Sequence, residues 1–575
     1  MADTLNEQTI ALPPALRAKV DAARAAWVAQ GNTHRLWSKD AALWTGGDEG
    51  RWLGWLDIVD RELRDVAALE DFGRALRAEH FTDVLLLGMG GSSLGPDVLA
   101  RSLGSARRYP TLHVLDSTDP EQVRRFENTV DLAHTLFIIA SKSGTTLEPN
   151  VLMDYFFAKA TAAIGGAAAN HFVAITDPGS QLQTTAEAKG FRRVFHGVAS
   201  IGGRYSVLSK FGLVPLAAMG ENPRAFLETA GMMARACGPQ TPPADNPGVA
   251  LGLTIGVLAG SRRDKLTLIA SPSIASFGAW VEQLVAESTG KNGHGVIPIA
   301  DEPLGDPSVY GNDRLFVYLR DDARPEPAQD RAIQALTQAG HPVVRIALKS
   351  PTLLAQEFFR FEMATAVAGA VLRINPFDQP DVEASKVATR QMTEAFEKTG
   401  ALAIEPPVFE ADGIALYADV DNAQELRKLG AASTLESWFK AHVARLAAGD
   451  YVALLAYLDA TDRRVKTLQS LRANIRDRRQ VATCLQFGPR FLHSTGQAHK
   501  GGPNTGVFLQ ITAQPAADLA IPGRKASFGV IEAAQAAGDF RVLAGRGRRA
   551  LHAHIAPDVD AGIAAVAKAI QLALT

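Results

Sequence analysis

Hydrophobic and polar positions fall into three successive rhythms along this chain. Over roughly the first 80 residues, apolar side chains recur at helical spacing, as in 16–28 and 49–69, and tryptophan is frequent. Short continuous apolar runs follow at 84–87, 112–115, 136–140 and 172–176, each succeeded by a Gly/Ser/Thr/Asp turn and a helical stretch. Strands alternating with helices predict a parallel sheet with helices on both faces. A second set at 266–270, 296–299, 315–319 and 343–347, closed by helical stretches at 354–372 and 382–399, repeats that arrangement in different sequence. Beyond a proline-bearing segment at 405–419, strands are expected at 451–458, 481–486, 506–512 and 550–555, with helices at 463–477, 528–537 and 561–574.

The expected fold class is therefore α/β. A helical N-terminal region covers 1–80, two parallel α/β/α sandwiches cover 81–222 and 223–404, a link with a helix covers 405–449, and a C-terminal α/β domain covers 450–575.

Composition narrows the partners. Of 575 residues, 47% are hydrophobic and 21% charged, enough for a large core. A net charge of −2 without a long basic run argues against a nucleic-acid binder. Cys237 and Cys484, far apart, form neither a disulfide framework nor a metal cluster, which fits a reducing compartment and a cytoplasmic location. The polar opening Met1 to Gln8 does not read as a secretory signal. The apolar stretch 249–260 is shorter than the ~20 residues that span a bilayer and reads as a buried helix.

Chemistry concentrates in four turns. Gly88-Met-Gly-Gly-Ser-Ser-Leu-Gly-Pro96 follows a strand; its glycines let backbone N–H groups close on an anion at the start of a helix. Gly88 and Gly90, with Asp116 on the next strand, also begin a dinucleotide fingerprint, but Ser93 stands at its third glycine. Ser141-Lys-Ser-Gly-Thr-Thr-Leu-Glu148 gathers four hydroxyls at a helix start, more than an N-cap needs and suited to a phosphate monoester. Gly202-Gly-Arg-Tyr-Ser206 lets the backbone approach a ligand and aims Arg204. In Glu282-Gln-Leu-Val-Ala-Glu-Ser-Thr-Gly290, Gln283 and Glu287 share a helix face. Glu287 lies in the last turn, where the negative end of the helix dipole raises the proton affinity of a carboxylate, as a catalytic base could use.

In order and spacing these segments resemble the glucose-6-phosphate isomerase family over roughly residues 80–400, joined by Asn375-Pro-Phe-Asp-Gln-Pro-Asp-Val-Glu-Ala-Ser-Lys386. The whole chain looks most like the isomerase half of bifunctional transaldolase/glucose-6-phosphate isomerase proteins, without a transaldolase portion. The resemblance implies two sugar-isomerase (SIS) subdomains, a homodimer, a sugar phosphate substrate, and neither metal nor cofactor. It also implies roles. Glu287 would move the proton between C2 and C1 through a cis-enediol, and Arg204 would stabilise the enediolate. Gly91, Ser92, Ser141, Lys142, Ser143 and Thr146 would hold phosphate, and Gln283 and Gln379 would touch substrate. Lys386 would serve ring opening. The family histidine is sought between the glutamate and the lysine, where His294 and His341 match no motif. Leu492-His-Ser-Thr-Gly-Gln497 instead resembles the histidine motif of some bacterial isomerases and singles out His493, with His499 second. Two other readings keep the same loops: an isomerase for another sugar phosphate such as mannose 6-phosphate, and a non-catalytic SIS-type sensor.

Overall fold

A computed structural model of the chain describes residues 5–402 and 405–575; the first four residues of the polar opening, and positions 403–404 at the expected end of the second sandwich, lie outside it. The described strands are β1 (Glu7–Ala11), β2 (Asp83–Leu87), β3 (Thr111–Leu115), β4 (Thr135–Ala140), β5 (Phe172–Thr176), β6 (Arg193–His196), β7 (Lys265–Ala270), β8 (Ile297–Ile299), β9 (Arg314–Asp321), β10 (Val343–Leu348), β11 (Phe409–Ala411), β12 (Ile414–Tyr417), β13 (Tyr451–Tyr457), β14 (Ala482–Phe487), β15 (Gly506–Ala513) and β16 (Arg549–Ile555).

They form three sheets. The first runs β3-β2-β4-β5-β6, all parallel. β4 is buried from end to end, as the apolar run Leu-Phe-Ile-Ile-Ala requires of a strand covered on both faces. The second runs β1-β10-β9-β7-β8, parallel except for β1. That N-terminal strand is a departure from the all-helical start expected from the sequence. Its alternate residues are only half-buried at a sheet edge, so it carries no apolar run. Arg360, fully buried, fastens this segment by donating to the Asn6 carbonyl and to Gln8 Oε1, both at 2.7 Å.

The third sheet runs β11-β12-β16-β15-β13-β14. Its β11–β12 hairpin lies in the segment read as a link. Asp412 and Gly413 both have positive φ there, as a tight hairpin turn demands.

Two helices open at Asn-Pro pairs, Pro223–Ala236 and Pro247–Ala259, each with the asparagine side chain capping an N–H of the first turn. One continuous core joins the N-terminal helices to the first two sheets; Trp55 stacks on Tyr205 at 5.4 Å within it. The third sheet has a core of its own, and a smaller cluster ties Ala286, Ile297 and Ile299 to Tyr451, Cys484 and Phe491. Among the described residues no helix is long and apolar enough to cross a membrane.

Candidate active site

The first sheet places the first two turns side by side. β2 is flanked by β3 on one side and β4 on the other, so the loops after β2 and β4 leave from adjacent carboxyl ends, where open α/β sheets bind ligands. The loop after β2 is drawn tight. A Cβ on Gly91 would stand 2.0 Å from the Gly203 carbonyl oxygen, so glycine is what lets this turn lie against the Arg204 turn. Gly90, at φ +57°, would bring a Cβ within 3.0 Å of both Gln283 Nε2 and the His493 carbonyl. Ser92 is buried beside it.

In the loop after β4, Ser141 is buried and its hydroxyl lies 3.3 Å from Thr146 Oγ1. Thr146 precedes the helix Leu147–Ile164, and its side chain caps none of the first-turn N–H groups. Ser143 is exposed and bonds Thr145. Lys142 differs from its expected part: its ammonium is taken by Asp177 Oδ1 at 2.8 Å and the Val198 carbonyl at 3.2 Å. Asp116, the acid a dinucleotide ribose would need, is buried and already bonded to Ser93 and to Arg490 Nε, both at 2.8 Å. That arrangement removes the dinucleotide alternative.

Arg204 is 2% exposed and spends its donors within the site. Nε donates to Ser288 Oγ at 2.7 Å, Nη1 reaches Gln379 Oε1 at 3.0 Å and Glu287 Oε1 at 3.1 Å, and Nη2 donates to the carbonyls of Pro376 and Asp378. Lys291 holds the same loop through the Asn375 carbonyl and Asp378 Oδ1; burial, with Arg204 nearby, pushes its ammonium down to about 7.

Glu287 and Gln283 lie one turn apart on the buried helix Phe277–Thr289. Gln283 Nε2 donates to Glu287 Oε2 at 3.1 Å and to the His493 carbonyl at 2.8 Å. Its Oε1 is buried and has no partner, a vacant acceptor at the centre of the site.

The third sheet delivers the histidine. His493 ends a short 3₁₀ turn, Arg490–His493, after β14, and its Nε2 lies 2.8 Å from Glu148 Oε1. Glu148 is buried in the first turn of the helix Leu147–Ile164. Burial alone would raise its pKa, but the His493 imidazole and then Lys386 bring it below the ordinary carboxylate value. Gln535 Nε2 donates to the same oxygen at 2.6 Å and is itself held by Thr118 Oγ1 at 2.6 Å. Lys386 is half-buried, pairs with Glu383 at 2.8 Å and acts on Glu148 electrostatically. His499 is set aside by its surroundings: Tyr451 and Gln486 occupy both ring nitrogens, and burial pushes it down to about 3.

Glu148 and Gln535 escape sequence reasoning. Glu148 closes the second turn, but a glutamate in a first helical turn is also an ordinary dipole partner. Gln535 lies on a C-terminal helix with no motif at all. Among the described residues no three His, Cys, Asp or Glu side chains gather as a metal site would require.

The family model described as phosphoglucose isomerase matches residues 62–298. A glucose-6-phosphate isomerase of Prochlorococcus marinus (strain MIT 9313) is 30% identical over 383 residues, covering 58% of this chain and 68% of that protein. Among solved structures, a Thermus thermophilus protein described as hypothetical superposes with a TM-score of 0.58 at 25% identity, covering 67% of this chain and 99% of that one. A glucose-6-phosphate isomerase from Chlamydia trachomatis shares the fold, with a TM-score of 0.51 at 21% identity over 64% of this chain and 78% of that one.

Proposed function

The chain belongs to the phosphoglucose isomerase family, and we propose that the site around Arg204, Glu287 and His493 is where it interconverts glucose 6-phosphate and fructose 6-phosphate. The observation that carries this reading is the position of Gln283. One side-chain amide ties the carboxylate of Glu287 to the main chain of His493 and leaves its own buried oxygen vacant.

Phosphate is held by the buried hydroxyls of Ser141 and Ser92, by Thr146, and by the N–H groups of the Gly91 turn. A phosphate monoester accepts several such bonds at once. That remote binding can be spent on orienting the reacting carbons. Ring opening needs a base for the anomeric hydroxyl proton and an acid for the ring oxygen. His493, held by the ionised Glu148, suits the first role, since a carboxylate stabilises the imidazolium that forms. The Lys386 ammonium suits the second.

Glu287 then takes the C2 proton of the open chain and returns it to C1, the work of a carboxylate that has no competing donor once ionised. Arg204 stabilises the enediolate. Its guanidinium lies 3.1 Å from the Glu287 carboxylate and 3.0 Å from Gln379, so it meets charge where the proton leaves. The sequence resemblance further supports a homodimer in the cytoplasm; light scattering tests the first and fractionation the second. On the same reading, 81–222 is the phosphate-binding unit and 223–404 carries Glu287 and Lys386. The unit 450–575 supplies His493.

The reading is tested by mixing the purified chain with glucose 6-phosphate in deuterated water, with no metal or nucleotide added. Fructose 6-phosphate formation is expected, with solvent deuterium that reaches Glu287 appearing at C1 of the product and at C2 of recovered glucose 6-phosphate. No product from folded protein would refute the reading.

A further inference from the structure

The third sheet has a switch point of its own. β13 is flanked by β14 on one side and β15 on the other, so a crevice opens past the carboxyl ends of β13 and β15. It is a cavity of about 630 Å³, within the range of small-molecule sites, and none of the residues assigned to sugar-phosphate chemistry lines it.

One side of the cavity is aromatic. Tyr417 and His552 stack with centroids 5.1 Å apart and planes 26° apart, and Phe540 lies 5.6 Å from His552. Another wall is the helix Phe528–Gly545, which presents Ala533, Ala536, Ala537 and Ala544 and so leaves the space open. Beside the aromatic face the polar groups are a hydroxyl and two imidazoles. Thr512 Oγ1 lies 2.7 Å from His552 Nε2 and 2.8 Å from His554 Nδ1. A hydroxyl has one proton, so it donates to one ring and accepts from the other. Burial disfavours charge on both imidazoles.

Two further lining residues have unmet needs. Tyr457 Oη and Glu532 Oε1 are buried without a hydrogen-bond partner. Such atoms are uncommon in a folded protein and call for an explanation. Burial, reinforced by Asp119 and Glu121, pushes the Glu532 carboxyl far above the ordinary carboxylate range.

We propose that this cavity binds a small uncharged heteroaromatic molecule, a planar ring that stacks on Tyr417 and His552 and carries its own hydrogen-bonding atoms. The walls decide the class. The alanine lining offers too few polar partners for a sugar. An anion would meet the carboxyl groups of Glu405 and Asp419 against one fixed cation among the lining residues, Arg541. A flat ring matches the stacked face, and its ring nitrogens meet neutral donors and acceptors.

The test uses the full chain at mildly alkaline pH with benzimidazole, uncharged there, and with benzimidazole-5-carboxylate as its anionic counterpart. Calorimetric titration should show saturable benzimidazole binding with a stoichiometry of one per chain, and a carboxylate affinity lower by about tenfold or more, tenfold being ~1.4 kcal/mol. Ala537→Phe, which puts a ring into the space, should weaken benzimidazole by at least about tenfold while glucose 6-phosphate turnover stays within about twofold. Ala533→Leu on the same wall serves if that variant does not fold. Absence of saturable benzimidazole binding by the active parent chain overturns the proposal. So does equal affinity for the carboxylate, or benzimidazole binding that survives the filling variant.

Discussion

His493 Nε2 lies 2.8 Å from Glu148 Oε1 although 345 positions separate the two residues in sequence. The helix start after β4 and the turn after β14 belong to different sheets, and the pair exists only where those sheets meet. A buried carboxylate bonded to an imidazole fixes the ring's orientation and stabilises its charged form. Glu148→Gln keeps the shape and removes the charge. It should lower turnover of the cyclic sugar by about 10²-fold, within the span of general acid–base effects, and leave affinity for a sugar-phosphate inhibitor near the parent's. His493→Ala should share that signature and should slow exchange of the open-chain substrate far less. Steady-state kinetics against both substrate forms separates the two steps, and unchanged turnover in Glu148→Gln would place ring opening elsewhere.

On the proposed mechanism Glu287 transfers the proton. Replacing it with Gln should retain inhibitor affinity while isomerisation and C2 exchange fall together. Glu287→Asp retracts the carboxylate by about one bond, and misplacement on the ~1 Å scale can cost ~10²-fold. Deuterium exchange at C2 measured by NMR decides the matter: exchange near the parent rate in a folded Glu287→Gln chain would mean that the base is another group.

Ser141 and Thr146 should act through binding. Each hydrogen bond to a charged group contributes about 1.5–3 kcal/mol, so the double Ala variant should bind inhibitor at least about tenfold more weakly. An unchanged dissociation constant would remove these hydroxyls from the phosphate site.

Glu282, beside Gln283 but facing Ala300, tests electrostatics away from catalysis. Burial pushes its carboxyl up to about 7, against an ordinary 4.5, and its Oε1 accepts from the Ala300 N–H at 2.9 Å. Between those two values the native chain keeps a proton that the unfolded chain has released. Stability therefore falls as pH rises through this window, by at most about 1.4 kcal/mol per pH unit. Glu282→Gln keeps the acceptor and removes the titration. Its unfolding free energy, from denaturant titrations at several pH values, should gain on the parent's progressively from 4.5 to about 7 and hold that lead above. A constant difference across the window would contradict the assignment.

What the sequence discloses is local. β2 and β4 announce themselves because a strand covered on both faces must be apolar throughout. The turn after β4 stands out because its four hydroxyls exceed what a cap needs. β1 is invisible because an edge strand needs no apolar run, and its partner β10 lies more than 300 residues away. The Asp412-Gly413 turn does carry a readable signal, the residue pair that tight hairpins favour, in a segment whose prolines suggest a link. Glu148 and Gln535 are hidden for a different reason. Their significance lies in which charge or amide stands opposite, and that depends on the docking of the third sheet.

That docking also sets when the chain can first work. Arg204, Glu287 and Lys386 leave the ribosome well before His493, and Gln535 emerges later still. On the proposed roles, a polypeptide stalled after the second sheet would hold Glu287 and Lys386 but lack His493. Messages truncated late, or chains clipped by a protease ahead of β14, would then yield products that act on the open-chain sugar yet wait for it to open by itself. Dosage measured by antibody would overstate dosage measured by rate.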